Sequence, residues 1–318
     1  MVEKGESVEW SWSDAPIVLP VAFHSREWNA IYIAFYLAEY SGSKVIVTHV
    51  LEGEEEEEHA FAEQLKREIG GLAKELSVRY EYSNVEPRSK PPSVEEIARS
   101  IADTADLNNA QAIVMSAHRE GLFRELFGRV SDHVARFSGR RVVLVETPQI
   151  GMKIPRNPKR IFIPVLKEQH PDPFVIAAAL TSSASVPDAE ITVGKIIELP
   201  PTLPLDAVEV SQPLRREERE FSYFTSLAIK ALGRFFNPKV VSVRDIGDDV
   251  GSYIREQAID LSVMFCKRKT GFHGFLTKDE YEIVSKSPCI VLVTLSGVEV
   301  AGRPPSASPL SSSSPQTP

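Results

Sequence analysis

Gly121 and Gly128 stand in a stretch that also carries Arg119, Arg124 and Arg129, and these are residue types that handle phosphate. Glycine lets backbone N–H groups approach an anion, and guanidinium groups add charge. The three arginines also recur at roughly helical spacing, so a solvated helix face explains them equally well. A P-loop is excluded, because it needs Gly-x4-Gly-Lys-[Ser/Thr], whereas six residues separate Gly121 from Gly128 and an arginine follows. No Gly-x-Ser-x-Gly elbow presents a serine nucleophile. The histidines His24, His49, His59, His118, His133, His170 and His273 are scattered rather than paired with carboxylates or cysteines as a metal site requires. His118 and His133 flank the glycine stretch, where a capping or hydrogen-bonding role at a strand end accounts for them. Cys266 and Cys289 have no metal or redox spacing, the usage of a reducing compartment. The acidic run Glu54–Glu58 suits the first turn of a helix. Nothing here builds a catalytic constellation, and the chain reads as non-enzymatic.

The elements that would position these residues occur twice. Ile17-Val18-Leu19-Pro20-Val21 returns as Ile161-Phe162-Ile163-Pro164-Val165, each a β-branched run suited to a buried strand. Helices follow at Glu27–Tyr40 and Pro173–Thr181, then strands at Lys44–Leu51 and Glu190–Leu199. Charged amphipathic helices come next, at Glu54–Leu76 and Arg215–Phe236. Third strands (Val78–Tyr82, Lys239–Val243), third helices (Val94–Ala105, Asp249–Ala258) and fourth strands (Ala112–Met115, Leu261–Met264) keep the order. Each copy closes with a glycine-containing loop, a helix and a last strand, Arg141–Glu146 and Ile290–Leu295. Alternation at this spacing implies βαβ crossovers and a mainly parallel sheet with helices on both faces. The expected fold class is α/β, with two tandem doubly wound, Rossmann-like sheets of five strands each. The expected division is an extension over 1–15, a first domain over 16–147, a Pro/Gly-rich linker over 148–159, a second domain over 160–296 and a disordered Pro/Ser tail over 297–318.

A net charge of -8 disfavours nucleic acid as a partner, since phosphate backbones call for a basic face. No apolar run reaches the roughly 18 residues of a membrane span, and the acidic, polar start is unlike a signal peptide. The expectation is a cytoplasmic protein without membrane insertion.

Together, the strand ending in Pro-Val, Thr48-His49-Val50, the segment from Val114-Met115-Ser116-Ala117-His118 through Gly121-Leu122 to Gly128, and Ser287-Pro288-Cys289-Ile290-Val291-Leu292-Val293 resemble the universal stress protein family over about Pro16–Leu295. The resemblance implies the fold but not ligand binding: only the family's nucleotide-binding members hold an adenine nucleotide, ATP or AMP, with an Asp directly after Pro-Val and a Gly-x2-Gly-x9-Gly-[Ser/Thr] loop. Here Ala22 and Leu166 stand at the Asp position. A gapless count from Gly128 puts Met115 and His118 at the two leading glycines, and one deletion puts Ser116 at the first. The closing pair reads Gly128-Arg129, with Ser131 two residues beyond. The degenerate loop that the resemblance points to is therefore Ser116, His118, Gly121, Gly128, Arg129 and Ser131. In the second copy Thr277-Lys278 stands where Gly-[Ser/Thr] would, Gly271 and Gly274 are off the spacing, and Cys266-Lys267-Arg268 replaces small residues. The second copy is the more eroded, and no cofactor is expected.

The resemblance also implies pairing of last strands, Val142–Val145 with Ile290–Val293, with Val143 and Val291 in equivalent places. The leading expectation is a regulatory or stress-response protein built as an internal pseudo-dimer, with a protein partner or self-association open. Its rivals are an ATP/AMP-binding switch using the first copy and a soluble regulatory module for a membrane transporter.

Overall fold

A computed structural model describes residues 10–22, 27–51, 58–117, 129–149, 151–182, 189–200, 212–268 and 275–296, of which 58–61, 129 and 212–217 are described as backbone only. Strands β1 (Ile17–Pro20), β2 (Val45–Val50), β3 (Tyr80–Val85), β4 (Ala112–Ala117) and β5 (Arg141–Glu146) alternate with helices α1 (Trp28–Ser41), α2 (Glu58–Glu75), α3 (Val94–Leu107) and α4 (Arg129–Phe137). The order repeats as β6 (Arg160–Val165), α5 (Pro171–Thr181), β7 (Glu190–Glu198), α6 (Gln212–Leu232), β8 (Asn237–Val243), α7 (Ile246–Glu256), β9 (Leu261–Cys266), α8 (Lys278–Lys286) and β10 (Ile290–Leu295).

Local chemistry sets several of the helix ends. The Ser93 and Asp245 side chains accept from Glu96 N and Asp248 N at the starts of α3 and α7, satisfying amides that a first turn leaves open. Thr277 and Glu280 close a reciprocal capping box on α8. Pro171 opens α5, where its missing N–H costs nothing. The chain leaves α1 through Gly42 at φ 73°, a left-handed conformation that glycine adopts without steric penalty. Among the described residues no helix is long and apolar enough to cross a membrane.

The ten strands make one sheet, in the order β3-β2-β1-β4-β5-β10-β9-β6-β7-β8. Every neighbouring pair is parallel except β5 with β10, which run antiparallel. The two expected five-stranded sheets are thus halves of a single sheet, joined through their last strands. Ile17 and Ile161 are register partners of Ala112 and Leu261, and these in turn of Arg141 and Ile290, which aligns the halves residue by residue. On that alignment Leu144 corresponds to Val293, and the two face each other across the seam. A pseudo-twofold axis therefore runs through this pair.

The same register corrects one expectation. The counterpart of Val143 is Leu292, not Val291, and Val143 lies opposite Thr294. Side chains alternate between faces with a period of two, so the one-residue difference puts Val291 on the other side of the sheet.

That alternation sorts the core into two layers. Val143, Val145, Ile290 and Leu292 pack with α1, α2, α5 and α6 on one face. Val142, Leu144, Val291 and Val293 pack with α3, α4, α7 and α8 on the other. These eight side chains are essentially buried, and each fully buried Val, Leu or Ile contributes about 1.5–3 kcal/mol.

The first face also carries polar ties between the halves. Asp172, 1% exposed, accepts from Arg141 Nε at 2.8 Å and from Trp12 Nε1 at 3.4 Å. Arg141 in turn lies over the Trp12 ring. Trp10 packs on Phe174 and Phe224 of the second half, so the segment before β1 crosses the seam. The chain between β5 and β6 is pinned as well. Asn29 donates to Thr147 Oγ1 and Met152 O and accepts from Ile154 N, and Tyr36 donates to Arg156 O.

Candidate functional site

In each half the strand order reverses beside the first strand, between β1 and β4 and between β6 and β9. Open α/β sheets bind ligands in the crevice at the carboxyl ends of such strands. In the first half β1 ends at Pro20, Val21 follows, and the Ala22 N–H donates to Glu27 Oε1 at 2.6 Å. Glu27 is 5% exposed, so a buried carboxylate reaches back to the residue where the sequence lacks an Asp. His49 Nδ1 is 2.9 Å from the Val21 carbonyl, and the ring thereby covers the end of β1. The neighbouring Thr48 hydroxyl is buried without a hydrogen-bond partner among the described residues.

Of the expected ligand residues, Ser116 is half-buried near the end of β4 and Ser131 is buried in the first turn of α4. Arg129 opens α4, with its side chain outside the described residues. His118, Gly121 and Gly128 also lie outside them, as do Arg119 and Arg124. Ser116 and Ser131 thus flank the loop from strand and helix respectively. His133 stands on α4 against Phe137, with ring centroids 5.4 Å apart. Among the described residues no group of three or more His, Cys, Asp or Glu side chains is arranged to hold a metal ion.

The second crevice is built of larger side chains at the same places. Leu166 replaces Ala22, Phe265 replaces Ser116, Cys266 replaces Ala117 and Lys195 replaces His49, following the strand registers. Lys195, though 7% exposed, satisfies its ammonium in part by donating to Leu166 O at 2.9 Å. Phe265 stacks flat on His170, with centroids 4.0 Å apart and planes within 4°. Burial, helped by the Glu280 carboxylate, pushes the Cys266 thiol well up, so it behaves as a small apolar group. Thr277, which the resemblance sets at a phosphate-loop position, spends its hydroxyl on Glu280 N in the capping box. Gly194 stands opposite Pro164, where a Cβ would come within 2.5 Å of Phe162 Cε2; the missing side chain makes room for that ring. Phe265, His170, Leu166 and Lys195 thus stand together in contacting pairs at the strand ends of the second half.

His170 also gives a pH prediction. Burial holds its imidazole below the ordinary value near 6.5; Asp172 and Glu168 oppose that shift and Arg141 adds to it. The folded chain therefore binds this proton less readily than the unfolded chain does. The sign follows: the contribution is constant above about pH 6.5 and stability falls as pH drops below it, until the folded group itself titrates. Urea midpoints between pH 7 and pH 5 should fall less in His170→Gln than in the parent; parallel curves would remove His170 from the account.

The class defined by this sheet and crevice is the doubly wound α/β proteins that carry a ligand cleft at the strand-order reversal. Residues 15–146 match the model of the Universal stress protein family. That part of the chain is thus similar to the universal stress protein family, and the remainder repeats its strand order. Similar solved structures include a universal stress protein from Archaeoglobus fulgidus DSM 4304, at TM-score 0.58 and 13% identity over 89% of this chain and 98% of that one. A putative universal stress protein from Pseudomonas aeruginosa UCBPP-PA14 aligns at TM-score 0.57 and 13% identity over 88% and 93%. The cytoplasmic domain of a prokaryotic cation chloride cotransporter aligns at TM-score 0.50 and 9% identity over 90% and 96%. At these identities the likeness is one of fold. No curated protein matches the sequence.

Sequence reasoning did not find Glu27, Lys195 or the Phe265–His170 stack. Glu27 follows Ala22 by five residues with no motif to mark it, and the other groups meet only once strand register is known.

Proposed function

We propose that this chain is a non-enzymatic regulatory or stress-response protein acting as an intramolecular pseudo-dimer with an eroded nucleotide site. Its units are residues 16–147 and 160–296, joined by 148–159. The observation that carries the reading is the antiparallel ladder from Val142↔Leu295 to Glu146↔Val291, which merges both halves into one sheet. The second half supports it, because Phe265 and Lys195 stand where the first half has Ser116 and His49, which suits a scaffold better than a ligand site. Losing the Asp at both Ala22 and Leu166 argues further against tight nucleotide binding.

Calorimetric titration of the full chain with ATP and with AMP tests the ligand part. Binding is expected to be weak or absent; dissociation constants in the low micromolar range would replace this reading with a nucleotide switch in the first half. A second reading, a soluble regulatory module for a membrane transporter, draws on the fold likeness to the cotransporter domain over 90% of the chain. It predicts that cross-linking in native cells captures the chain with a transport protein, and capture of the chain alone counts against it.

A further inference from the structure

Arg268 lies two residues beyond β9 in the second half, yet its guanidinium is spent on the first. Nη1 donates to Ser138 O and Nη2 donates to Arg140 O, the latter at 2.6 Å. Ser138 directly follows α4, and its N–H still bonds to Val134 O in the helical pattern. The carbonyls past the last turn of a helix are open acceptors at the negative end of its dipole, which suits a planar cation with forked donors. The place is costly for a charge: burial alone pushes the guanidinium down to about 10. The end of α4 is also gripped from its own half. Phe137 lies 4.3 Å beneath Arg99, and Arg140 Nε bonds to Asp106 at 2.8 Å. At the other end of α4, the first turn holds Ser131, beside the first crevice.

We propose that Arg268 is a positioning residue that fastens the carboxyl end of α4 to the end of β9, so that the helix bordering the first crevice is set by the second half. The device rests on the pseudo-dimer reading and adds a direction to it: the second half holds a helix that borders the crevice of the first.

Amide exchange on the full chain tests this. In Arg268→Ala, exchange at residues 134–138 should quicken roughly tenfold or more, in line with losing hydrogen bonds from a charged donor, while α1 and α6 keep their rates. Arg268→Lys keeps the charge but cannot span two carbonyls, so an intermediate effect is expected; it carries the comparison if the alanine variant does not fold. A double-mutant cycle separates positioning from simple support. Val134→Ala, which loosens α4 from below, should quicken exchange at residues 266–268 in the parent and not in Arg268→Ala. Unchanged exchange at 134–138 in the Arg268 variants, or additive effects in the cycle, would overturn the proposal. Either result leaves the seam between β5 and β10 to be judged on its own.

Discussion

Val143→Asp is expected to unfold the whole chain early and in one transition. Val143 is fully buried opposite Thr294, on the face where α1 and α5 pack against both halves of the sheet. Val145 and Leu292 belong to the same buried apolar layer, and the Thr294 hydroxyl opposite already donates to Met264 O at 3.2 Å. An unpartnered charge there costs several kcal/mol or forces the group to take up a proton. A loss of that size is a large share of the roughly 5–15 kcal/mol that holds a typical protein folded. Because the strain sits on the ladder shared by β5 and β10, residues 161–295 should lose exchange protection together with 16–147. Two domains on a loose tether would behave otherwise: the first would melt early and the second would keep its protection.

Phe174→Ala is expected to cost about 3–5 kcal/mol, the usual range for emptying a buried aromatic site. Phe174 is 1% exposed in α5 and meets three rings: Trp10 at 5.7 Å, Phe224 at 5.6 Å and Phe236 at 5.1 Å. Trp10 belongs to the segment before β1, so the loss should be felt beyond the second half. The expected result is a lowered urea midpoint together with faster exchange at Trp12 and Ser13. A variant destabilised only in α5 and α6, with the leading segment still protected, would show that Trp10 rests on the second half without holding it.

The strands were legible because their chemistry is local. Runs such as Ile161-Phe162-Ile163-Pro164-Val165 are apolar, β-branched and short, and the limits expected for β5 and β10 coincide with those observed. Repetition then supplied the strand alternation that local propensity leaves open. Register was harder to read. Arg141-Val142-Val143-Leu144-Val145 and Ile290-Val291-Leu292-Val293 look alike under a shift of one residue, so sequence paired Val143 with the wrong counterpart. Only the ladders through β1 and β6 fix the alignment. The site suffered most, because its groups are far apart in the chain: Phe265 meets His170, and Arg268 meets Ser138, through folding alone. The loop glycines were named from motif spacing, whereas the carboxylate of Glu27 and the basic groups of His49 and Lys195 come to the strand ends through backbone geometry.

The claim that the two halves form one structural unit is tested most directly by scanning calorimetry of the unmodified full chain. A single cooperative unit gives a calorimetric enthalpy equal to the van't Hoff enthalpy. With all ten strands in one sheet, one symmetrical transition and an enthalpy ratio near one are expected. Two separable transitions, or a ratio approaching two, would contradict the account by showing that each half melts on its own.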